Sequence, residues 1–405
     1  MDRRTWLLLF VLLLGSACGG LELLSVTPAT VPVGVSRPIV IAGVGFSETT
    51  EFSLESFGVE VSLSPPTILN DNEVEVWVPA AAPSGHYDLV ATTSLSSARL
   101  EKAVELVDGR ARVVFIDVGQ GDATLVIAPD GETLLIDGGP RAAASRVQNA
   151  LQVYADGRLD AVVLSHYDAD HLGGLVEVLA GPDRMPGTRD DLRPEITFAP
   201  SDTGGCDTVA CQRFRRLLSW PMVTASPLER FSLGAVEVAL VAADGDVGEG
   251  PLPGVSSDNE HSVAVQISFG GRSALVTGDL TGGGLGTVDL ETPLASRTGP
   301  VDVLRVAHHG SATSSAESAL DRWQPWVAVL SVGTDNAYCH PASEVLERLS
   351  TSTAHLYATG YGVVAESERC NGQTRAPDEA VFGMGDVILD MRADGTLWVN
   401  DDVIR

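Results

Sequence analysis

The run Ala161-Val162-Val163-Leu164-Ser165-His166-Tyr167-Asp168-Ala169-Asp170-His171-Leu172-Gly173-Gly174 constrains this chain more tightly than its size does. Its apolar, β-branched opening reads as a buried strand. The strand delivers a loop in which four of six positions, His166, Asp168, Asp170 and His171, carry metal-ligating side chains, and a helix is expected to follow at Leu172. His166 and Asp168 stand two apart and can point the same way, while Asp170 and His171 can serve a second ion beside the first. A solvated loop with Asp170 capping the next helix would account for one carboxylate, but it leaves the histidine pair unexplained. Two ions roughly 3.5–4 Å apart form a clamp that lowers the pKa of a bridging water and polarises a scissile bond.

Open α/β sheets gather their sites beyond the carboxyl ends of strands, and two more strand ends carry matching chemistry. Leu275-Val276-Thr277-Gly278-Asp279 ends in an aspartate suited to lying between two cations, and Val303-Leu304-Arg305-Val306-Ala307-His308-His309-Gly310-Ser311 puts two histidines after a strand. Each alone has an ordinary turn or core-edge explanation. Together with the first loop they supply the His/Asp mixture of a dinuclear hydrolase.

The motif His166-x-Asp168-x-Asp170-His171 with Gly173-Gly174 resembles the signature of the metallo-β-lactamase superfamily. An ordered set narrows the resemblance: Phe115-Ile116-Asp117-Val118-Gly119-Gln120-Gly121-Asp122-Ala123, Leu135-Ile136-Asp137-Gly138-Gly139, Thr277-Gly278-Asp279, His308-His309-Gly310-Ser311 and Ser331-Val332-Gly333 through Asn336-x-Tyr338-x-His340-Pro341. That order is similar to the extracytoplasmic hydrolase domain of ComEC-type competence proteins, over roughly residues 112–400, without the membrane channel of that family. The resemblance implies an α/β fold of αββα sandwich type holding two divalent metal ions. His166 and Asp168 would hold one ion, Asp170 and His171 the second, with Asp279 bridging. His309 is the favoured ligand of the adjacent pair, and His308 either a ligand or a supporting residue. Asp137 would orient a ligand histidine; Asp117 and Asp122 would do the same or only stabilise a Gly-bent loop. Asp170, Asn336 and His340 form the expected catalytic set, the last two touching the leaving group or a nonbridging oxygen. His261 is a conceivable further ligand, more simply a loop residue. This oxygen-rich set shifts preference from zinc toward manganese, with zinc still open.

The rest of the chain frames that domain. Arg3 and Arg4 precede the apolar stretch Trp6–Leu14, too short for a membrane span, and Gly15-Ser16-Ala17 closes it with small residues. Residues 1–17 therefore read as a signal peptide. Cys18 resembles the lipidated cysteine of bacterial lipoproteins, with simple cleavage after Ala17 as the other reading. Cys206, Cys211, Cys339 and Cys370 then remain, an even number that suits disulfides in an oxidising compartment. Of three connectivities, Cys206–Cys211 with Cys339–Cys370 is preferred; a cysteine zinc site is disfavoured because no C-x-x-C occurs.

Residues 21–107 read as an all-β module, with Val74-Glu75-Val76-Trp77-Val78 alternating one buried and one wet face. The segments Ser25-Val26-Thr27-Pro28, Ile39 through Phe46, and Ser84-Gly85-His86-Tyr87-Asp88-Leu89 resemble the immunoglobulin-like IPT/TIG family, whose members serve as spacers or platforms for a surface partner. Residues 110–405 would form the hydrolase domain, with long loops at 181–214 and 244–260 and a hairpin at Asp394-Gly395.

The formal net charge is −28 and Lys102 is the only lysine, so stable coating of nucleic acid through counterion release is disfavoured. Transient hydrolysis of an anionic ester is not. The expectation is an exported metal-dependent phosphodiesterase or nuclease using a metal-bridged hydroxide, with single-stranded DNA held transiently and the membrane reached only through Cys18. The alternatives are a hydrolase of a small phosphoester or other ester, or a surface binding protein on a retained hydrolase scaffold.

Overall fold

The computed structural model describes residues 20–34, 36–107, 109–201, 208–217, 222–334, 336–362 and 380–405. The expected leader, Cys18, Cys206 and Cys370 lie outside these residues. The chain divides into two compact units, the first ending at Val107 and the second running to Arg405.

The first unit is all β. One sheet orders Glu22–Thr27, Arg37–Val44, Glu73–Val78 and Thr67–Asn70; the other orders Thr30–Pro32, Ser97–Val107, Gly85–Thr92, Glu51–Ser56 and Val59–Ser62. Alternation decides which side is dry: Val74, Val76 and Val78 are buried, whereas Glu73, Glu75 and Trp77 are not. They join Ile39, Ile41, Leu54 and Leu89 in a single core.

In the second unit a nine-stranded and a seven-stranded mixed sheet are each backed by helices. The strand Ala161–Val163 runs parallel between Thr133–Ile136 and Ile196–Ala199, so both its faces are buried and its apolar run is continuous. Val303–Arg305 occupies the equivalent position in the other sheet, parallel to Arg272–Val276 and Val327–Leu330. Leu304 packs into the helix-backed core, and Val303 and Arg305 point to the opposite face.

Helices 144–155, 169–179 and 209–217 cover the nine-stranded sheet through Val147, Leu151, Leu172, Leu175, Val176 and Phe214. The last of these starts inside the stretch 181–214 expected as loop; only Cys211, Phe214 and Leu217 of its side chains are buried, too sparse a signal among charged neighbours. The helix expected from Leu172 starts instead at Ala169, so Asp170 and His171 lie in its first turn. Gly138 and Gly174 allow that helix to press backbone to backbone on the turn after Ile136. A Cβ on Gly174 would meet Gly138 O at 1.9 Å, and Gly138 N donates to His171 O at 2.9 Å.

Candidate metal centre

Strand ends from both sheets converge on one buried cluster. Asp279 O carboxylate atoms sit in its middle: His171 Nε2 lies 3.3 Å from Oδ1, while His309 Nε2, His308 Nε2 and His166 Nε2 lie 3.5, 3.8 and 3.9 Å from Oδ2. Asp170 Oδ2 is 3.4 Å from His309 Nε2, and Asp168 Oδ2 is 3.5 Å from His166 Nε2. Metal–ligand bonds of about 2.1 Å put tetrahedral ligand atoms about 3.4 Å apart, the spacing seen across these groups. Asp170, His171 and His309 place ligand atoms within 4.8 Å of one another, as do His166, His171 and Asp279, while Asp168 faces His166 and His308 faces Asp279.

The hydrogen-bond network assigns which nitrogen of each imidazole is free. His171 Nδ1 meets Asp137 Oδ2 at 2.8 Å, an acceptor, so that Nδ1 carries the proton. His309 Nδ1 meets the Ser331 carbonyl at 2.8 Å and the Arg305 guanidinium at 3.2 Å, and the shorter contact, to an acceptor, places the proton on Nδ1 there too. Ser165 Oγ donates to Asp137 Oδ2 at 2.6 Å and, its proton spent, accepts from His166 Nδ1 at 2.9 Å. His308 Nδ1 is held by Thr313 Oγ1 at 2.8 Å. One carboxylate, Asp137, therefore orients two histidines, one of them through a serine, the type of support that fixes metal-binding imidazoles. His166 Nε2 and Asp279 Oδ1 are buried without a hydrogen-bond partner. Such orphaned acceptors are costly unless a cation faces them, so the residues present fit divalent ions.

Local backbone conformation serves the same end. His308 and His309 both adopt left-handed φ values, 51° and 53°, and Asp137 has φ 60°. Side-chain residues rarely take that region, and clusters of them mark sites where geometry is over-determined by the surroundings. Asp168 sits at the N-cap of helix 169–179 without making a capping bond; its carboxylate faces His166 instead.

Electrostatics follow the cluster. Burial pushes the Asp279 carboxyl up, but the neighbouring charges of His171 and His309 outweigh it and hold the group well below the usual carboxylate range. Asp170 is held down in the same way, by His309 and His171 against burial. Burial pulls His171 down, yet Asp279 and Asp137 raise it well above an ordinary histidine, so an arriving cation displaces a proton there. Burial lowers His308, and it pushes His340 down to about 4, aided by His309 and His308. His340 is thus a neutral imidazole at pH 7, with its ring 5.7 Å from that of His308.

Three of the candidate residues are engaged away from the cluster of imidazoles. Asp117 accepts from Gly119 N and pairs with Arg146 at 3.3 Å, away from the imidazoles; it stabilises the Gly-bent loop rather than orienting a ligand. The Asn336 amide is fully engaged within the protein. Its Nδ2 donates to the carbonyls of Gly333 and His340, and its Oδ1 accepts from the N–H groups of Tyr338 and His340, so it clasps its own loop. His261 faces Asp244 at 3.4 Å. Asp122 lies with Asp137 and His171 within ligand reach of one another, and it pairs with Arg305. Cys211 and Cys339 are disulfide-bonded.

Sequence reading passed over Arg305, Ser165 and Ser262. Arg305 is fully buried, donates to Gly278 O at 2.6 Å and lies 3.6 Å from Asp279 Oδ1. Its signal was visible as the lone charge in the apolar run Val303–Ala307. Ser262 Oγ accepts from Asp279 N at 3.1 Å, and nothing in its neighbours marks it out.

Residues 116–334, more than half of the chain, match the family model described as Metallo-beta-lactamase superfamily, and the chain belongs to that superfamily. Within it, the chain is similar to part of several competence proteins. It is 27% identical over 270 residues to ComE operon protein 3 of Bacillus subtilis (strain 168), covering 62% of this chain and 32% of that protein. It is 30% identical over 258 residues to Competence protein ComA of Neisseria gonorrhoeae, covering 62% and 31%. The chain thus spans about a third of the length of these curated relatives. Among solved structures it is similar to the metallo-beta-lactamase fold protein YhfI from Bacillus subtilis, at 16% identity over 69% of this chain and 99% of that one, with a TM-score of 0.37.

Proposed function

We propose that the chain is an exported, metal-dependent phosphodiesterase that holds a nucleic-acid strand transiently and cuts it. The observation that carries the reading is His171 Nε2 facing His309 Nε2 at 3.3 Å with both Nδ1 atoms already committed. A positive charge has to lie against two ring nitrogens that close; His171 supplies it as a proton, and a divalent ion that displaces that proton would supply it instead. His166, Asp168 and His308 would hold one divalent ion, and Asp170, His171 and His309 a second, with Asp279 facing both. Zinc or manganese, when bound, supplies Lewis acidity and brings the pKa of water down toward neutrality.

The chain's own residues do the rest. Asp137 and Ser165 lock the imidazoles in one tautomer, and Arg305 places a fixed cation behind Asp279 and His309. His340, neutral at pH 7, can donate one hydrogen bond to a nonbridging oxygen without adding charge. Relatives named for competence support a nucleic-acid substrate, and the net charge of −28 limits the hold to a transient one.

Export rests on Arg3, Arg4 and the apolar stretch that follows, with Cys18 as the lipid anchor; the disulfide-bonded Cys211 and Cys339 suit an oxidising compartment. The proposed pairs are Cys206–Cys211 and Cys339–Cys370. The all-β unit, read as an IPT/TIG-like module, would bind a surface partner.

Metal analysis of the full chain by mass spectrometry, followed by bis(p-nitrophenyl) phosphate and single-stranded DNA with added manganese or zinc, tests the reading. Metal-dependent cleavage that disappears in Asp279→Ala is the expected result. A chain that binds metal yet cleaves no phosphodiester with any metal tried rejects it.

A further inference from the structure

A cavity of about 580 Å³ opens beside the centre, with Asp170 in its wall and Gln120, Arg141, Glu177, Arg213 and Tyr338 among its other lining residues. It follows one face of helix 169–179 from Asp170 to Glu177, a run of about 10 Å at the α-helical rise. At its far end Glu177 is almost completely buried between two arginines. Arg141 Nε lies 2.9 Å from Glu177 Oε1, and Arg213 contacts the same oxygen while also donating to Arg184 O at 2.7 Å. Two cations against one carboxylate leave the triad one positive charge in excess, on a chain whose average surface is strongly negative.

The two arginines are not equivalent. Arg213 is largely buried and both its terminal nitrogens are engaged. Arg141 has a side chain 72% exposed, and its approach to Glu177 is through Nε, which leaves the guanidinium open to solvent on the cavity side. A planar fork held from behind by a carboxylate is suited to taking a phosphate bidentately. Tyr338 stands in the same cavity, 68% exposed and stacked on His340 with ring centroids 5.9 Å apart. An exposed arginine beside an exposed aromatic face is a pairing that holds single strands without sequence preference.

We infer that Arg141, braced by Glu177 and Arg213, is a specificity-determining residue that binds a second phosphate of a single-stranded phosphodiester chain, with Tyr338 offering a stacking face for a base. The inference rests on the phosphodiesterase reading and sharpens it, since it selects substrates carrying a second anion over simple diesters. Arg141 touches none of the ligand residues, so its loss leaves the chemistry of a one-phosphate substrate intact.

Two measurements test it. Binding of a fluorescent oligothymidylate to the full chain in EDTA is followed by anisotropy against salt concentration. Arg141→Gln is expected to weaken binding about tenfold and to flatten the slope of log K against log salt by about 0.7. With manganese present, Arg141→Gln is expected to raise KM for the p-nitrophenyl ester of a thymidine dinucleotide by about tenfold, with kcat and all bis(p-nitrophenyl) phosphate kinetics unchanged. Unaltered oligothymidylate binding and unaltered dinucleotide KM overturn the subsite while leaving the phosphodiesterase intact. Failure of the wild type to cleave even bis(p-nitrophenyl) phosphate overturns both.

Discussion

Arg305 Nε lies 2.8 Å from Asp122 Oδ2, and neither side chain has any exposure to solvent. The pair crosses from a strand of the seven-stranded sheet to the loop after Arg110–Phe115 of the nine-stranded one, directly behind Asp279 and His309. Breaking a buried pair on one side strands the other charge, which costs about 3–5 kcal/mol. Arg305→Met is therefore expected to lower stability to urea by that order, and adding Asp122→Asn to restore a substantial part. A double mutant no more stable than the single one would show that Asp122 is not the stranded partner.

Asp137 and Ser165 bind no ion in the proposed centre, yet they set the tautomers of His166 and His171. Loss of such support typically weakens metal affinity by about 10–100-fold. Chelator competition should show that loss for Asp137→Asn, and a smaller one for Ser165→Ala, which touches His166 more than His171. Equal affinities in wild type and both variants would sink the assignment.

Ion binding should stabilise the chain measurably. At about a hundredfold excess over Kd, the linkage gain is about 2.7 kcal/mol, seen as a rise in melting temperature with manganese or zinc. Asp279→Ala should abolish the rise, because that carboxylate faces both histidine groups. A rise that survives the substitution would place the ion elsewhere.

Glu291, at the start of helix 291–298, is buried beneath the Ser315 and Ala316 amides, and burial pushes its carboxyl up from 4.5 to about 7 despite those hydrogen bonds. A folded-state pKa above the unfolded value means the native chain binds the extra proton. The associated stability is full below about pH 4.5 and is lost as pH rises through about 7, on the order of 3 kcal/mol in all. Chemical denaturation from pH 5 to 8 should show that slope in the wild type and a flatter one in Glu291→Gln. Parallel profiles would refute the shift.

Asn336 fills every donor and acceptor of its amide inside the segment 333–340. Asn336→Ala should lower stability by about 1–3 kcal/mol and reduce turnover only through displacement of His340. A complete loss of activity with unchanged stability would instead put the amide on the substrate.

Much of the centre was legible because its chemistry is local. His166 through His171 sit in one short segment, and Asp279, His308 and His309 each follow an apolar strand that announces where it ends. Asp137 was readable for the same reason. What escaped depends on contacts distant in sequence. Arg305 gains its meaning from Asp122 across the sheets, and Ser262 from an amide seventeen positions later. Asn336 was expected on the substrate because a polar residue in a glycine-rich turn looks the same whether it binds substrate or its own backbone. For the same reason the two alternatives for Asp117 stayed open in the sequence, and its contacts with Gly119 and Arg146 decide between them. The helix starts at Ala169 because the Asp168 carbonyl takes the His171 and Leu172 amides and closes a turn earlier than the hydrophobic pattern suggests.

Neither sheet holds a whole centre. The loop after Ala161–Val163 brings His166, Asp168, Asp170 and His171, and the opposite layer brings Asp279, His308 and His309. Any ion seated there would act as a rivet between two halves of the sandwich, so occupancy reports that the halves have docked, and a fragment containing either layer alone keeps only part of each ligand set.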